Sequence, residues 1–219
     1  RFLKLSLSAL PVLFLLVLQP DIGTLVIFII CFMVIYWIHG GASKYLLWTV
    51  CGMLPLFILV IYKFPYIYKR LIGFWNPQEH ADGAGFHLLQ LERAIASGGF
   101  WGRSFGRGLW SQGYLPLTHN DSIFASFCES LGFVGGFLLI MIFIVALFFA
   151  FKKYQEMSND LYGYSLFALV FCLSVQAFVH ISVNVQLLPP TGITLPFVSY
   201  GGSSLMSSFV IVGLCKSLL

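Results

Sequence analysis

The sequence predicts an all-α, polytopic membrane protein with six transmembrane helices and one long extracytoplasmic loop. Of its 219 residues, 59% are hydrophobic and only 9% are charged, whereas a soluble domain carries about a quarter charged residues. Ten of the 20 charged residues (12 Lys and Arg plus 8 Asp and Glu) fall within residues 63–122. The rest of the chain cannot cover itself with a polar surface, which excludes a single soluble globular domain.

Six long runs nearly free of charge mark the predicted membrane helices, because a helix needs about 20 mostly apolar residues to cross a bilayer. The runs cover residues 5–18, 22–38, 45–62, 132–151, 161–184 and 203–219. The first and last are short, so we expect the chain to be clipped at both ends.

Lysine and arginine near helix ends predict the orientation, since short basic loops stay on the cytoplasmic side. If the six helices alternate, one side carries Arg1, Lys4, Lys44, Lys152, Lys153 and Lys216. We predict that this side is the cytoplasm. The segment 63–122 and the short connections 19–21 and 185–202 then face outward.

The outward segment 63–122 is long for a connection without structure of its own. It carries six bases, four acids and three of the five histidines. A helix is predicted over 87–96, ended by Ser97-Gly98-Gly99, with Gln90 and Arg93 about one turn apart on one face. We expect this segment to form a lid or floor for a site.

Five motifs follow one another along nearly the whole chain. They are Gln19-Pro20-Asp21-Ile22-Gly23-Thr24, Phe74-Trp75-Asn76-Pro77, Gly85-Phe86-His87 with Gln90, Leu115-Pro116 with His119 and Asp121, and Leu195-Pro196-Phe197-Val198-Ser199-Tyr200-Gly201-Gly202-Ser203-Ser204. In order and spacing they resemble the SEDS family of FtsW, RodA and SpoVE, and the second motif is more similar to FtsW or SpoVE. The resemblance implies one membrane domain over residues 1–219, truncated at the N-terminus, that holds the last six of ten helices.

The resemblance implies a peptidoglycan glycosyltransferase that polymerises lipid II at the outer face of the bacterial cytoplasmic membrane, in cell division or cell-shape maintenance. A β-1,4 bond formed from an α-linked sugar diphosphate requires inversion, hence one base for the acceptor hydroxyl. The leaving diphosphate needs cations to neutralise it. Implied partners are lipid II, a class B penicillin-binding protein (a transpeptidase) and other division or elongation proteins, and not nucleic acid.

Asp121 is the predicted general base. It stands just before Ile123-Phe124-Ala125, where the loop enters the next membrane helix near the headgroup level. By resemblance it matches the aspartate of the family segment Leu-Pro-Glu-x-His-Thr-Asp. The alternative is that Asp121 caps the following helix, as is also favoured for Asp21 before Ile22.

The predicted substrate-binding residues are Arg70, Lys69, Gln90, Arg93, His119 and Glu129. Arg70 is the first choice for the diphosphate, because Tyr68-Lys69-Arg70 matches a family segment and arginine binds phosphate with two prongs. Other bases in the segment, such as Arg103, are equally consistent with contacts to anionic lipid headgroups. His119 either bonds the base or a sugar hydroxyl, or has a structural role.

A cavity wall is predicted from the loop 189–204, whose prolines and paired glycines favour a compact fold. The assigned residues are Pro196, Ser199, Gly201, Gly202 and Ser203, with serines expected to bond freed backbone groups. His180 lies inside an apolar run, where it replaces a family asparagine and is expected to face the protein interior.

Two departures from the family reduce the number of carboxylates. Leu117 stands where the family has Glu, and Ser130 follows Glu129 where a second Glu is common. No metal ligand is therefore predicted, and the sequence leaves open a divalent cation, Mg²⁺ or Mn²⁺, that enters with the substrate diphosphate.

Two other functions stay open, namely a lipid II flippase and a non-catalytic scaffold of a cell-wall synthesis complex. A flippase needs a polar path across the whole membrane, whereas the charges of this sequence crowd at the outer face.

Overall fold

A computed structural model describes residues 2–19, 21–83, 85–104, 108, 110, 120–157 and 160–218. In this part of the chain every regular element is a helix, and strands are absent. The helices are α1 (Phe2–Leu18), α2 (Ile22–Ile38), α3 (Ser43–Lys63), α4 (Pro65–Trp75), α5 (Phe86–Gly98), α6 (Ile123–Glu156), α7 (Asp160–Asn184) and α8 (Gly202–Leu218). The predicted all-α class is confirmed.

Two of the described helices, α6 and residues Leu161–Asn184 of α7, are long and apolar enough to cross a membrane. Three shorter apolar helices cover Ala9–Leu18, Ile22–Ile38 and Gly202–Leu218. These apolar helices are consistent with a membrane protein. The number of membrane spans, six, stays a prediction.

The chain divides into two compact units, Arg1–Lys69 and Arg70–Leu219. In the first unit α2 packs against both α1 and α3. Asp21 caps α2 as expected, since its carboxylate accepts hydrogen bonds from Thr24 N (3.1 Å) and from the Thr24 hydroxyl (2.6 Å). This cap satisfies donors that the first turn of a helix leaves unpaired.

The second unit is organised around α6, which packs against α5 and α7, and α7 packs in turn against α8. Two apolar clusters hold these helices together. One consists of Phe124, Cys128, Leu139, Phe143, Ala177, Ile181 and Leu195, and the other of Leu88, Leu91, Ala94 and Ala125. The second cluster fixes α5 on the first turn of α6.

α6 is broken at Gly132, whose φ of 70° and ψ of −168° are not helical. Residues 99–104 pair with the backbone groups that the break exposes. The bonds run from Arg103 N to Glu129 O (3.0 Å), from Ser104 N to Ser130 O (3.1 Å) and from Phe133 N to Gly99 O (2.9 Å). A Cβ at Gly132 would overlap the backbone of Gly102 and Phe100, so this approach requires glycine.

The predicted helix over 87–96 is confirmed by α5, which ends one residue before Gly99. Gly99 has a φ of 56°, a conformation that favours glycine at a helix end. The segment 63–122 also contains α4, which the sequence did not predict. Its apolar residues Ile67, Leu71 and Phe74 recur at helical spacing, a signal from which this helix could have been predicted.

Candidate functional site

A cavity of about 310 Å³ opens within the second unit, where several helix ends meet. Its wall is formed by Arg70, Gly83, His87, Asp121, His180, Val183, Pro190, Thr191, Gly192 and Ile193. Arg70 comes from α4, His87 from the first turn of α5, and His180 and Val183 from the end of α7. The structure thus brings the predicted base and the predicted diphosphate-binding arginine to one cavity.

Asp121 lies two residues before α6 and is half-buried. The N-cap residue of α6 is Ser122, and its side chain makes no capping hydrogen bond. Asp121 is therefore not the cap, and the capping alternative for its carboxylate is wrong. Gly192 faces this carboxylate, because a Cβ built there would lie 3.8 Å from Oδ2 of Asp121.

Arg70 reaches the cavity wall from α4 with an exposed side chain. Its Nη1 donates a hydrogen bond to the Pro190 carbonyl oxygen at 3.2 Å. This contact ties α4 to the connection between α7 and α8. The guanidinium is thereby held as a cation at the wall, the chemistry that an anionic ligand requires.

His87 is a site residue that the sequence analysis quoted within a motif without giving it a role. Burial lowers the pKa of His87 below its ordinary value, the nearby Asp121 carboxylate opposes that change, and Arg70 adds to it. The imidazole is neutral at pH 7 and can both donate and accept a hydrogen bond. The signal in the sequence was Gly85-Phe86-His87 itself, because the motif stands at the start of a predicted helix.

Of the other predicted substrate-binding residues, Gln90, Arg93 and Glu129 are described in the second unit and are not among the lining residues. Lys69 is exposed and belongs to the first unit, and His119 lies outside the described residues. Gln90 is buried, and its Oε1 has no hydrogen-bond partner in the described part of the chain. Arg93 is exposed, with its guanidinium carbon 5.7 Å from the centroid of the Trp110 ring.

Glu129 is fully buried on α6. Its Oε1 accepts hydrogen bonds from Trp110 N at 3.0 Å and from Ser97 Oγ at 3.3 Å. Glu129 therefore anchors the end of α5 and the chain that follows it, at a distance from the cavity lining.

The connection between α7 and α8 contributes residues 190–193 to the wall, whereas the predicted wall residues lie just beyond them. Pro196 and Ser199 are buried, Gly201 is half-buried, and Gly202 and Ser203 are exposed at the start of α8. Ser199 Oγ accepts a hydrogen bond from Leu195 N (2.7 Å) and donates one to Asn120 O (3.1 Å). The expectation that a serine bonds freed backbone groups is confirmed at Ser199.

His180 faces the protein interior, as expected, and also lines the cavity. Within the described ranges, no three His, Cys, Asp or Glu residues come together as ligands for a metal ion. Asp121 is the one carboxylate among the described lining residues. The described lining residues can thus supply one base (Asp121), one arginine cation (Arg70) and two imidazoles (His87 and His180).

A family model described as "Cell cycle protein", that of FtsW, RodA and SpoVE, matches residues 1–219. The chain is 34% identical over 195 residues to the "Probable peptidoglycan glycosyltransferase FtsW" of Francisella salina, which covers 88% of this chain and 48% of that protein. It is 34% identical over 196 residues to "Stage V sporulation protein E" of Bacillus subtilis, with 89% and 53% covered.

The fold is also similar to a solved structure described as "Structural coordination of polymerization and crosslinking by a peptidoglycan synthase complex". The TM-score is 0.77 at 26% identity, over 98% of this chain and 60% of that one. The chain spans about half the length of the curated relatives that it matches.

Proposed function

The chain belongs to the FtsW, RodA and SpoVE family, and from that premise we propose that the protein carrying it is a peptidoglycan glycosyltransferase. It polymerises lipid II into glycan strands at the outer face of the bacterial cytoplasmic membrane, in division or cell-shape maintenance. The observation that carries this proposal is the presence of Asp121 and Arg70 in the wall of one cavity. The names of the relatives, which include peptidoglycan glycosyltransferase FtsW, support it.

In the proposed reaction the acceptor hydroxyl oxygen attacks the anomeric carbon of the donor sugar. The bond from that carbon to the lipid diphosphate breaks, and the diphosphate leaves as an anion with the bonding electrons. The hydroxyl proton passes to the Asp121 carboxylate, which acts as general base. One carboxylate suffices, because the leaving diphosphate needs charge neutralisation more than a proton.

Arg70 is the proposed partner of the diphosphate. Its side chain is exposed at the cavity wall, and a guanidinium can bind phosphate oxygens with two parallel N–H donors. Neutral His87 lies in the same wall and is suited to a sugar hydroxyl, which both donates and accepts. A volume of about 310 Å³ is at the lower end for small-molecule sites, so it suits one part of lipid II.

The topology is part of the proposal. Six helices cross the membrane, namely α1, α2, α3, α7, α8 and the part of α6 after Gly132. The segment 63–122, with α4 and α5, stays at the outer face within one membrane domain. The basic residues near the helix ends favour this orientation.

A class B penicillin-binding protein, which is a transpeptidase, is the proposed partner, together with other division or elongation proteins. The similar solved structure is a complex for polymerization and crosslinking, and this likeness supports a crosslinking partner here. Mg²⁺ or Mn²⁺ is proposed only as an ion that enters with the substrate diphosphate, since Asp121 is the one carboxylate among the described residues of the cavity wall.

A lipid II flippase and a non-catalytic scaffold are the rival functions. Next to the cavity, the contact between α6 and α7 continues into the apolar cluster of Phe124, Leu139, Phe143, Ala177 and Ile181. A carrier of a diphosphate headgroup needs polar groups along such a path. This apolar packing supports synthesis over transport.

The test is to incubate the complete purified protein with labelled lipid II, with and without its transpeptidase partner, and to separate the products by length. We expect glycan strands from the parental protein. No polymer under either condition, with lipid II still bound, would reject the glycosyltransferase and favour a scaffold or carrier.

A further inference from the structure

Two polar side chains at the end of α7 are almost completely buried beside the cavity. His180 is 2% exposed and Asn184 is 1% exposed. They lie one turn apart, so they share a face of α7. A buried polar group is costly unless it is hydrogen-bonded. Asn184 is bonded to the backbone at Asp121, and His180 is bonded to the backbone of Ile193, next to Gly192.

Asn184 holds the backbone at the start of α6. Its Nδ2 donates a hydrogen bond to the Asp121 carbonyl oxygen (2.9 Å), and its Oδ1 accepts one from Ala125 N (3.2 Å). Ala125 N is one of the first helix donors, which have no partner within the helix. Since Ser122 makes no side-chain cap, Asn184 supplies this cap from the neighbouring helix.

His180 bonds the connection between α7 and α8, which also lines the cavity. Its Nδ1 donates to the Ile193 carbonyl oxygen at 2.6 Å. A carbonyl only accepts, so Nδ1 carries the proton and Nε2 is left to accept from Asn184 Nδ2 at 3.2 Å. The pair therefore connects Asp121 with the 192–193 backbone, where Gly192 faces the Asp121 carboxylate.

We propose that Asn184 is the positioning residue for Asp121, and that it fixes the carboxylate against the reacting sugar through the Asp121 backbone, with His180 as its support. This inference rests on the proposed role of Asp121 as general base. A shift of about 1 Å in a catalytic group can cost about 10²-fold in rate. Loss of this hydrogen bond is therefore expected to lower the rate of glycan formation without removing any group that touches lipid II.

The first test is Asn184→Ala in the complete protein, assayed with labelled lipid II. We expect kcat to fall by about 10²-fold, while KM for lipid II changes by less than about twofold. The matched control is Ser174→Ala, because Ser174 is 1% exposed and bonds only within α7, to Val170 O at 2.9 Å. It should keep the parental rate. A raised KM with parental kcat for Asn184→Ala would overturn the proposal.

The thermal unfolding midpoint of Asn184→Ala separates positioning from general stability. In assays well below that midpoint, where the variant is folded, we expect kcat to stay about 10²-fold below the parental value. A parental kcat for the folded variant, with a lowered midpoint, would assign Asn184 a purely structural role and overturn the proposal.

A double-mutant cycle with Asp121→Asn tests whether Asn184 acts through the Asp121 carboxylate. If Asn184 acts through the carboxylate, Asn184→Ala should cost less than about twofold in the Asp121→Asn background. Equal losses of rate in both backgrounds would reject the positioning role of Asn184 but not the role of Asp121 as general base. A parental rate for Asp121→Asn by itself rejects the general base and the proposed function, so the two failures are distinguishable.

Discussion

At the residue scale, the proposed reaction assigns Arg70 the neutralisation of the leaving diphosphate, in addition to its observed contact with Pro190. One N–H of its guanidinium holds the Pro190 carbonyl, and the rest of the group contributes a positive charge to the wall. Lysine also carries a positive charge, but its ammonium group cannot present two parallel N–H donors to a diphosphate as a guanidinium does.

We predict that Arg70→Lys lowers kcat/KM for lipid II part way and that Arg70→Ala lowers it by roughly 10- to 100-fold, as loss of a hydrogen bond to a charged group does. Titration of lipid II in the polymerisation assay measures both. The control is Arg103→Ala, because Arg103 is exposed, bonds Ser97 O at 2.9 Å and is not a lining residue. A parental rate and concentration dependence for Arg70→Ala would remove Arg70 from the diphosphate site.

His87 should make stability depend on pH. Burial lowers its pKa below the ordinary 6.5, against the opposing Asp121, and Arg70 lowers it further. Its contribution to stability is therefore complete above pH 6.5 and is lost as the pH falls through the lowered pKa. Among the described lining residues, Asp121, Arg70 and His180 are the other charged or titratable groups.

We predict that the thermal unfolding midpoint of the parental protein falls more between pH 6.5 and about pH 5 than that of His87→Gln, which cannot titrate. His80→Gln, at an exposed position outside the cavity lining, should follow the parental curve. Identical curves for the parent and His87→Gln would show that His87 is not held neutral by the fold.

Sequence reasoning reached Asp121 and Arg70 because each belongs to a local motif. It did not give roles to His87 or Asn184, since their value comes from contacts between elements far apart in the chain. Nothing in the residues near Asn184 indicates that its amide reaches Asp121, 63 positions away. Such pairings depend on how α6 and α7 pack.

At the scale of elements, the break in α6 depends on Gly132. The residue has a left-handed φ of 70°, and a Cβ there would meet the backbone of residues 100 and 102. Gly213 in α8 is the matched control, because a Cβ there meets nothing within 4 Å.

We predict that Gly132→Ala destabilises the protein by at least about 1–2 kcal/mol, the cost of a left-handed conformation for an L-residue. Gly213→Ala should be neutral or slightly stabilising, since alanine favours a helix by about 0.5–1 kcal/mol over glycine. Thermal or denaturant unfolding in detergent compares the two. Equal stabilities would contradict the requirement for glycine at the break.

The helices themselves were predictable to different degrees. The predicted run 161–184 coincides with the apolar segment Leu161–Asn184 of α7. Helix α5 ends at the Gly98-Gly99 pair, as expected. The run 132–151 misses the start of α6, because Ser126, Glu129 and Ser130 interrupt the apolar pattern there, where α6 packs against α5. α4 was missed although its apolar residues recur at helical spacing, because its 11 residues include Lys69 and Arg70 and are too short for the charge-free runs that mark membrane helices.

At the scale of the whole molecule, the proposed orientation puts the cavity at the outer face of the membrane. Gln78 follows α4 in the outward segment and Gln155 lies at the end of α6, and both are exposed. In a background without the five native cysteines, Gln78→Cys should react with a membrane-impermeant thiol reagent added to intact spheroplasts. Gln155→Cys should react only after lysis, and the reverse pattern would invert the topology.

The measurement that tests the account most directly is polymerisation of lipid II by Asp121→Asn in the complete protein, alongside binding of lipid II by the same variant. Asparagine keeps the shape of the side chain but cannot take up the acceptor proton. We predict a loss of about 10²–10⁴-fold in glycan synthesis, the usual contribution of a general base, with lipid II binding nearly unchanged. Glycan synthesis at the parental rate by Asp121→Asn would contradict the mechanism, and intact synthesis combined with lost lipid translocation would favour the carrier.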